Sequence, residues 1–180
     1  MSIFYTEISN HLKKNITNNN YLNILEIGCG DKIYKKDLMP NNYEGIDLPD
    51  SKWININDKP EILKKLSVFK PQKNYDLIFS VATIYLLDKD DLKNFIELIN
   101  NVKDKKGKIL IFDYKKKTID KLGTEQNNYL DILKNNFFSN FKIIDIEWCS
   151  NNKFRKKIKE FLKINKSHII EINFTNKSQF

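Results

Sequence analysis

Arginine is almost missing from this chain: of its 31 basic side chains only Arg155 is an arginine. A surface dedicated to gripping phosphate usually relies on the planar, bidentate guanidinium, so the basic character is weaker support for nucleic acid than its size suggests. Two cysteines, Cys29 and Cys149, are too few for a disulfide framework or a metal cluster. The longest nearly apolar run, Leu77 to Leu87, falls short of the roughly 20 residues that span a bilayer. The N-terminal MSIFYTEISNHLKK has no basic-then-apolar signal layout. These absences predict a soluble, reduced, cytoplasmic protein with no membrane contact.

What is present argues for one ordinary globular domain. The 180 residues are 41% hydrophobic and 12% aromatic, enough for a real core and too short for two domains. Alanine occurs once, at Ala82, against 24 asparagines. That bias is what an AT-rich coding sequence produces, whatever the protein does. The formal net charge is +8, but residues 150–180 carry eight basic and two acidic side chains, so +6 of it lies there. Asn-x-Ser/Thr triplets such as the one at Asn15 are expected by chance in so asparagine-rich a chain.

Apolar periodicity predicts alternating helices and strands. Phe4, Ile8, Leu12 and Ile16 step by four and predict a helix over 2–17. Strands are expected at 21–27, 43–47, 53–57 (WININ), 75–81, 108–113, 141–148 and 168–174. Helices are expected from Pro60 to about Phe69, from the Asp88 cap through Leu92, Phe95, Ile96, Ile99 and Val102, around 125–136, and at 152–164. The alternation implies a single doubly wound α/β domain, its sheet open and mostly parallel. Residues 1–20 would lead as a helix over the site, 21–148 would form the core, and 149–180 a basic helix and final strand.

In such sheets ligands bind beyond the carboxyl ends of the strands. The first such turn reads Glu26-Ile27-Gly28-Cys29-Gly30-Asp31-Lys32. Its two glycines allow a tight turn and a close backbone approach. A dinucleotide fingerprint would need glycine at position 33, where the chain has Ile33. Glu26, at the end of a buried strand, suits a ligand with positive charge and amino donors rather than a pyrophosphate. Asp47 closes the second strand, where a carboxylate can accept hydrogen bonds from both hydroxyls of a ribose.

At these residues the sequence resembles the class I S-adenosylmethionine-dependent methyltransferases. The matching stretches are ILEIGCGDK (24–32), YEGIDL (43–48), YDLIFSVATIYLLD (75–88) and GKILIFDY (107–114), in the family's order. The first turn is most similar to a GCG-x-K-x-Y subgroup that often accompanies glycan and small-molecule biosynthesis, with Ile33 where that subgroup often has proline. The resemblance implies S-adenosyl-L-methionine as cofactor. It implies that Glu26 orients the turn and the cofactor's amino group, and that Gly28, Cys29 and Gly30 pass against its methionine part. Asp47 would hold the ribose, Asp58 (or the equally placed Asn57) would face the adenine amino group, and Ser80 would line the floor beneath the sulfonium. Lys32 replaces the family's usual third glycine. The short link from Asp47 to the expected third strand leaves no room for a crossover helix.

For catalysis, Tyr85 sits where relatives often place histidine, and Asp113 and Tyr114 follow the fifth strand. A tyrosine can orient an acceptor, but a phenol of pKa near 10 is a poor base at neutral pH. Against each role stands a bland one: turn caps for Glu26 and Asp47, inert packing for Cys29, apolar lining for Tyr85, a strand end for Asp113. His11 and His168 read as surface and structural, and Trp53 and Trp148 as core or sheet-edge residues. The expected activity is methyl transfer to oxygen or nitrogen of a small metabolite or sugar. Lys115-Lys116-Lys117 could meet an anionic group on that acceptor, with a solvated loop as the default. RNA methylation through the basic C-terminal face is the alternative. It is disfavoured by the scarcity of arginine and by the missing Asn/Asp-Pro-Pro-aromatic pattern after Ser80. A non-catalytic cofactor-binding protein is a third reading.

Overall fold

Isoleucine-, leucine- and phenylalanine-rich stretches form the strands, and in the computed structural model seven of them join in one sheet. The structure describes residues 3–19, 21–38, 42–104, 107–114, 128–147 and 166–174. In chain order the elements are α1 (Ile3–Asn19), β1 (Asn23–Ile27), α2 (Lys35–Leu38), β2 (Asn42–Asp47), β3 (Ile62–Leu63) and β4 (Leu77–Val81). They continue with α3 (Lys89–Asp104), β5 (Lys108–Tyr114), α4 (Tyr129–Phe137), β6 (Phe141–Glu147) and β7 (Lys166–Asn173). The strand order is β3-β2-β1-β4-β5-β7-β6, with β7 antiparallel to both neighbours and every other pairing parallel. The order reverses direction between β1 and β4, which places a ligand-binding crevice at their carboxyl ends.

Both faces of the sheet are covered, which is why its central strands read as unbroken apolar runs. Ile24, Leu77, Phe79, Leu110 and Phe112 pack with Ile8 and Leu12 of α1 and with Tyr34 and Leu38 around α2. The alternate residues Leu25, Ile78, Ile109 and Ile111 pack with Leu92, Phe95 and Ile99 of α3 and Leu133 of α4. Burying a leucine or phenylalanine fully contributes about 1.5–3 kcal/mol, so these two layers hold the sheet. Asp88 caps α3 as expected, accepting the N–H groups of Asp90 and Asp91 at 3.0 and 2.9 Å. Polar ties fix α1 to the far side of the sheet: Lys108 Nζ donates to Asn15 Oδ1 at 2.7 Å, and His11 Nε2 lies 3.0 Å from Glu171 Oε1.

Two expectations are overturned in the β2–β4 region. The third strand is not 53–57 but the two residues Ile62–Leu63, and the helix expected from Pro60 is replaced by that strand and a 3-10 turn at Leu66–Val68. Two of the three apolar residues of WININ that suggested a strand are in the open, Trp53 at 71% and Ile56 at 78% exposure, because successive turns rather than a sheet edge receive them. The N–H groups of Ser51, Ile54 and Asp58 bond back to the carbonyls of Leu48, Ser51 and Asn55. No helix crosses between β2 and β3, in line with the short link. Instead Glu61 Oε2 takes the Gly45 N–H at 2.8 Å, a side chain continuing the ladder just before β3 starts. The basic helix expected at 152–164, Lys115-Lys116-Lys117 and Trp148 lie outside the described residues.

Candidate functional site

A cleft of about 1040 Å³ opens at the carboxyl ends of β1, β2, β4 and β5. The turn after β1 forms its floor. Gly28 and Gly30 have φ of +71° and +52°, a left-handed backbone that costs glycine nothing. A side chain at Gly28 would overlap Thr83, and one at Gly30 would stand 3.2 Å from the Cβ of Trp53. The bare backbone is therefore required from two directions, conformation and space.

Asp47, at the end of β2, fixes this turn from the side. Its Oδ2 accepts the Gly30 N–H and its Oδ1 the Leu48 N–H, both at 2.7 Å. A carboxylate has about four acceptor positions, so two remain for a ligand. Lys32, which replaces the usual third glycine of the family the sequence resembles, holds φ +52° despite its side chain. Its buried ammonium reaches Asp58 Oδ1 at 2.5 Å, the Lys59 carbonyl at 2.6 Å and Glu61 Oε1 at 3.2 Å. Burial alone would lower the Lys32 pKa, but the bonds to Asp58 and Glu61 outweigh it and hold it above the ordinary lysine value.

Glu26 lines the cleft yet is 1% exposed, and it accepts the Tyr43 hydroxyl at 2.5 Å. Burial pushes its carboxyl up to about 8, opposed by that hydrogen bond and reinforced by Asp31, Asp47 and Glu61. A buried carboxyl among other carboxylates is a site that a cation would ionise. Cys29 is buried with its sulfur against Gly45, and burial raises its thiol pKa above the ordinary value. It is packing rather than a nucleophile.

At the β4–β5 end the lining is aromatic. Tyr85 and Tyr114 meet edge to face with centroids 6.3 Å apart, and Leu86, Leu87 and Val81 flank them. Burial and the neighbouring Asp113 push the Tyr85 hydroxyl up to about 12, so it stays protonated. Asp113 lies just beneath, fully buried, with neither oxygen in a hydrogen bond of ordinary geometry. Burial pushes its carboxyl up to about 8, and the Tyr129 hydroxyl and the N–H groups of Tyr85 and Thr83 nearby only partly counter this. His168 stands opposite Asp113 on β7, its Nε2 3.3 Å from the Tyr129 hydroxyl.

Six of the nine residues singled out from sequence line the cleft: Glu26, Gly28, Cys29, Gly30, Asp47 and Tyr85. Asp58 does not; with β3 moved to 62–63 it falls in a turn, drawn to Lys32 and away from the cleft. Ser80 and Asp113 are buried and do not line it; Val81, Ala82 and Thr83 form the surface there instead. Correctly placing β3 would have pointed to Lys64 and Leu66, which follow it into the cleft. Trp53, expected in the core or at a sheet edge, is the largest exposed side chain on the cleft wall, and no sequence pattern marked it. Among the described residues no cluster of His, Cys, Asp or Glu is arranged to hold a metal, and no helix is long and apolar enough to cross a membrane.

Comparison with solved structures identifies the architecture. N-methyltransferase NodS from Bradyrhizobium japonicum superposes with a TM-score of 0.63 over 96% of this chain and 97% of that one, at 15% identity. The chain has the Rossmann-like methyltransferase fold. The plantazolicin methyltransferase BpumL, crystallised with a desmethylPZN analog and SAH, shares this fold at a TM-score of 0.60 and 16% identity, covering 94% of this chain and 84% of that one. In sequence, a malonyl-[acyl-carrier protein] O-methyltransferase from Ilyobacter polytropus is 34% identical over 91 residues, 42% of this chain. The match spans only 35% of that protein's length. No family model matches the chain.

Proposed function

We propose that the chain is an S-adenosyl-L-methionine-dependent methyltransferase acting on oxygen or nitrogen of a small metabolite or sugar. The observation that carries this reading is the joint geometry of the β1 turn and Asp47. Two glycines forced bare by conformation and space stand beside a carboxylate with acceptor positions to spare, at the switch point of the sheet. The O-methyltransferase relative in sequence and the fold shared with BpumL, crystallised with SAH, support it. The turn Gly28-Cys29-Gly30-Asp31-Lys32-Ile33-Tyr34 further supports the glycan- and small-molecule-associated subgroup.

When bound, the cofactor supplies a methyl group on a sulfonium that is already reactive, so the protein's task is mostly alignment. Gly28 and Gly30 let the backbone pass against the methionine part. Asp47 accepts the ribose hydroxyls while its bond to Gly30 keeps the turn in place. Glu26, whose buried carboxyl is held up to about 8, would ionise beside a cationic ligand group and supply its counter-charge. Tyr85 orients the acceptor through a hydroxyl that remains a donor at neutral pH. Asp113 acts from beneath as a positioning residue, its charge state felt by Tyr85 and Tyr114. Asp58 is not retained in this set; Leu48, Lys64 and Leu66 line the β2–β3 end instead.

Calorimetric titration with S-adenosylmethionine and SAH tests the reading. Binding in the micromolar range is expected for the wild type, and no heat at millimolar ligand would overturn it. Incubation with methyl-labelled cofactor and fractionated cell extract then identifies the acceptor class. Label on RNA instead of a small molecule would overturn the choice of acceptor.

A further inference from the structure

Three buried polar side chains from distant parts of the chain meet beneath the Tyr85–Tyr114 wall: Asp113 of β5, Tyr129 of α4 and His168 of β7. Asp113 and His168 are direct partners in the antiparallel ladder, so their side chains leave the same face of the sheet. That face carries Ile109, Ile111, Ile170 and Ile172 against Leu133 of α4, and Tyr129 packs within the same layer. The Tyr129 hydroxyl lies 3.3 Å from His168 Nε2 and beside the Asp113 carboxyl, so it adjoins both. The backbone N–H groups of Thr83 and Tyr85, two residues of the cleft lining, approach the same carboxyl.

A carboxyl, a phenol and an imidazole in an isoleucine layer are costly to bury, and apolar side chains would fill the space. Burial keeps a proton on Asp113 up to about 8, and burial together with Asp113 holds the Tyr129 hydroxyl protonated. The other titratable groups around Asp113 are Tyr85, Tyr114 and His168. Asp145 of β6 is paired with His168 on the far side of the ladder. In its Nδ1–H tautomer, His168 offers Nε2 as a proton acceptor to Tyr129.

We propose that Asp113, Tyr129 and His168 form a proton relay beneath the acceptor end, sharing one proton between the Asp113 carboxyl and the His168 imidazole. The Asp113 O–H bond breaks and its proton passes to Tyr129 Oη. The Tyr129 O–H bond breaks in turn, and that proton passes to His168 Nε2. The result is a carboxylate under Tyr85 and Tyr114 and an imidazolium on β7, with no proton gained or lost; the reverse restores the neutral pair. This rests on the methyl-transfer reading and deepens it. Transfer from a sulfonium moves positive charge onto the acceptor, and the relay forms a counter-charge below that end without releasing a proton to water. Tyr129 and His168 act through Asp113 and are positioning residues.

The test needs no acceptor. The full chain is labelled with nitrogen-15 at its two histidines, His11 and His168, and His11→Gln assigns the signals. Imidazole nitrogen shifts distinguish neutral from protonated rings. Wild-type His168 should show values averaged between the two forms from about pH 6 to 8. Tyr129→Phe removes the bridge and Asp113→Asn the proton donor, so each should return His168 to a neutral ring while His11 stays unmoved. A loss of packing alone would lower Tm without this change of ring state. A neutral His168 in the wild type across that window, or one that either substitution leaves unmoved, would overturn the relay. Calorimetric SAH binding in those samples would then leave the cofactor reading standing. A shared proton without SAH binding would keep the relay and remove its role in methyl transfer.

Discussion

At the β1–β2 end of the cleft the polar groups are tied down: Asp47 holds Gly30, Lys32 gathers Asp58 and the 59–61 segment, and Glu26 holds Tyr43. The β4–β5 end is built differently. Asp113 is fully buried with no hydrogen bond of ordinary geometry, Ser80 Oγ beside it in the sheet has none, and the surface above is tyrosine and leucine. A stitched end suits a ligand whose shape never changes, the cofactor. An end walled by aromatic and apolar side chains suits the acceptor, the part that differs between enzymes of one fold. Both ends also bury a carboxyl whose pKa stands near 8, Glu26 and Asp113, so the resting cleft carries less negative charge than its residue count suggests.

The sharpest way to break this comparison is Asp47→Ala. If the β2 end is the nucleoside end, losing a charged acceptor that also secures Gly30 should weaken SAH binding by about 1.5–3 kcal/mol, or roughly 10- to 150-fold, read by calorimetry. Asp113→Asn should leave SAH affinity within about twofold and lower methyl transfer at saturating cofactor, because the group lies at the other end. Equal losses of SAH binding in both variants would erase the distinction between the ends.

A second experiment reads the buried carboxyls through stability. Glu26 and Asp113 keep their protons to about pH 8 in the folded protein, whereas the unfolded chain releases them near 4.5 and 3.8. The folded state therefore binds more protons across that window, and stability falls as pH rises from about 4 to 8. Glu26→Gln and Asp113→Asn should each flatten the decline of Tm between pH 5 and 8. Only Glu26→Gln should also weaken SAH binding. For the wild type, SAH should restore more stability at pH 8 than at pH 6, since its ammonium group would offset the ionisation of Glu26.

Gly28→Ala probes the floor shared by both ends. The added methyl meets Thr83 at a φ of +71°, and strain of this kind costs about 1–3 kcal/mol. A Tm drop of roughly 3–10 °C is expected, with SAH affinity falling too. Gly28→Ala combined with Thr83→Ser should recover little, because the backbone conformation remains unfavourable.

How much of this could be read from the chain follows the length of each signal. The runs at 75–81 and 108–113 are buried on both faces, so their composition alone marks them as central strands, and the Gly-x-Gly turn marks where the site must lie. β3 is two residues long and leaves no periodicity to find, while the alternation of WININ imitates a strand that solvent-exposed turns in fact carry. That one displacement moved Asp58 into the expected site and kept Trp53, Lys64 and Leu66 out of it. Asp113 was legible as a strand-end carboxylate, but its depth depends on α4 and β7, which bring Tyr129 beside it and pair His168 with it in register from far along the chain.

The smallest expected effect contrasts two residues with the same backbone strain. Lys32 and Ala82 both sit at φ +52°, one at each end of the cleft. Glycine should relieve that strain at either position, but only Lys32 has side-chain bonds that oppose the strain. Its ammonium joins Asp58, Glu61 and the Lys59 carbonyl, and removing it leaves the 58–61 turn without its tie. Lys32→Gly should therefore lower Tm despite the easier backbone. Ala82 has no such side chain, and its N–H bond to the Phe112 carbonyl at 2.8 Å survives substitution. Ala82→Gly should relieve a left-handed backbone that costs about 1–2 kcal/mol, against about 0.4–1 kcal/mol of added freedom in the unfolded chain, a small net gain for the folded state. A rise of roughly 1–4 °C in Tm is the expected outcome. A fall would mean that the Ala82 methyl makes contacts in the cleft worth more than the strain, and the β4 end would then be as closely fitted as the β1 end.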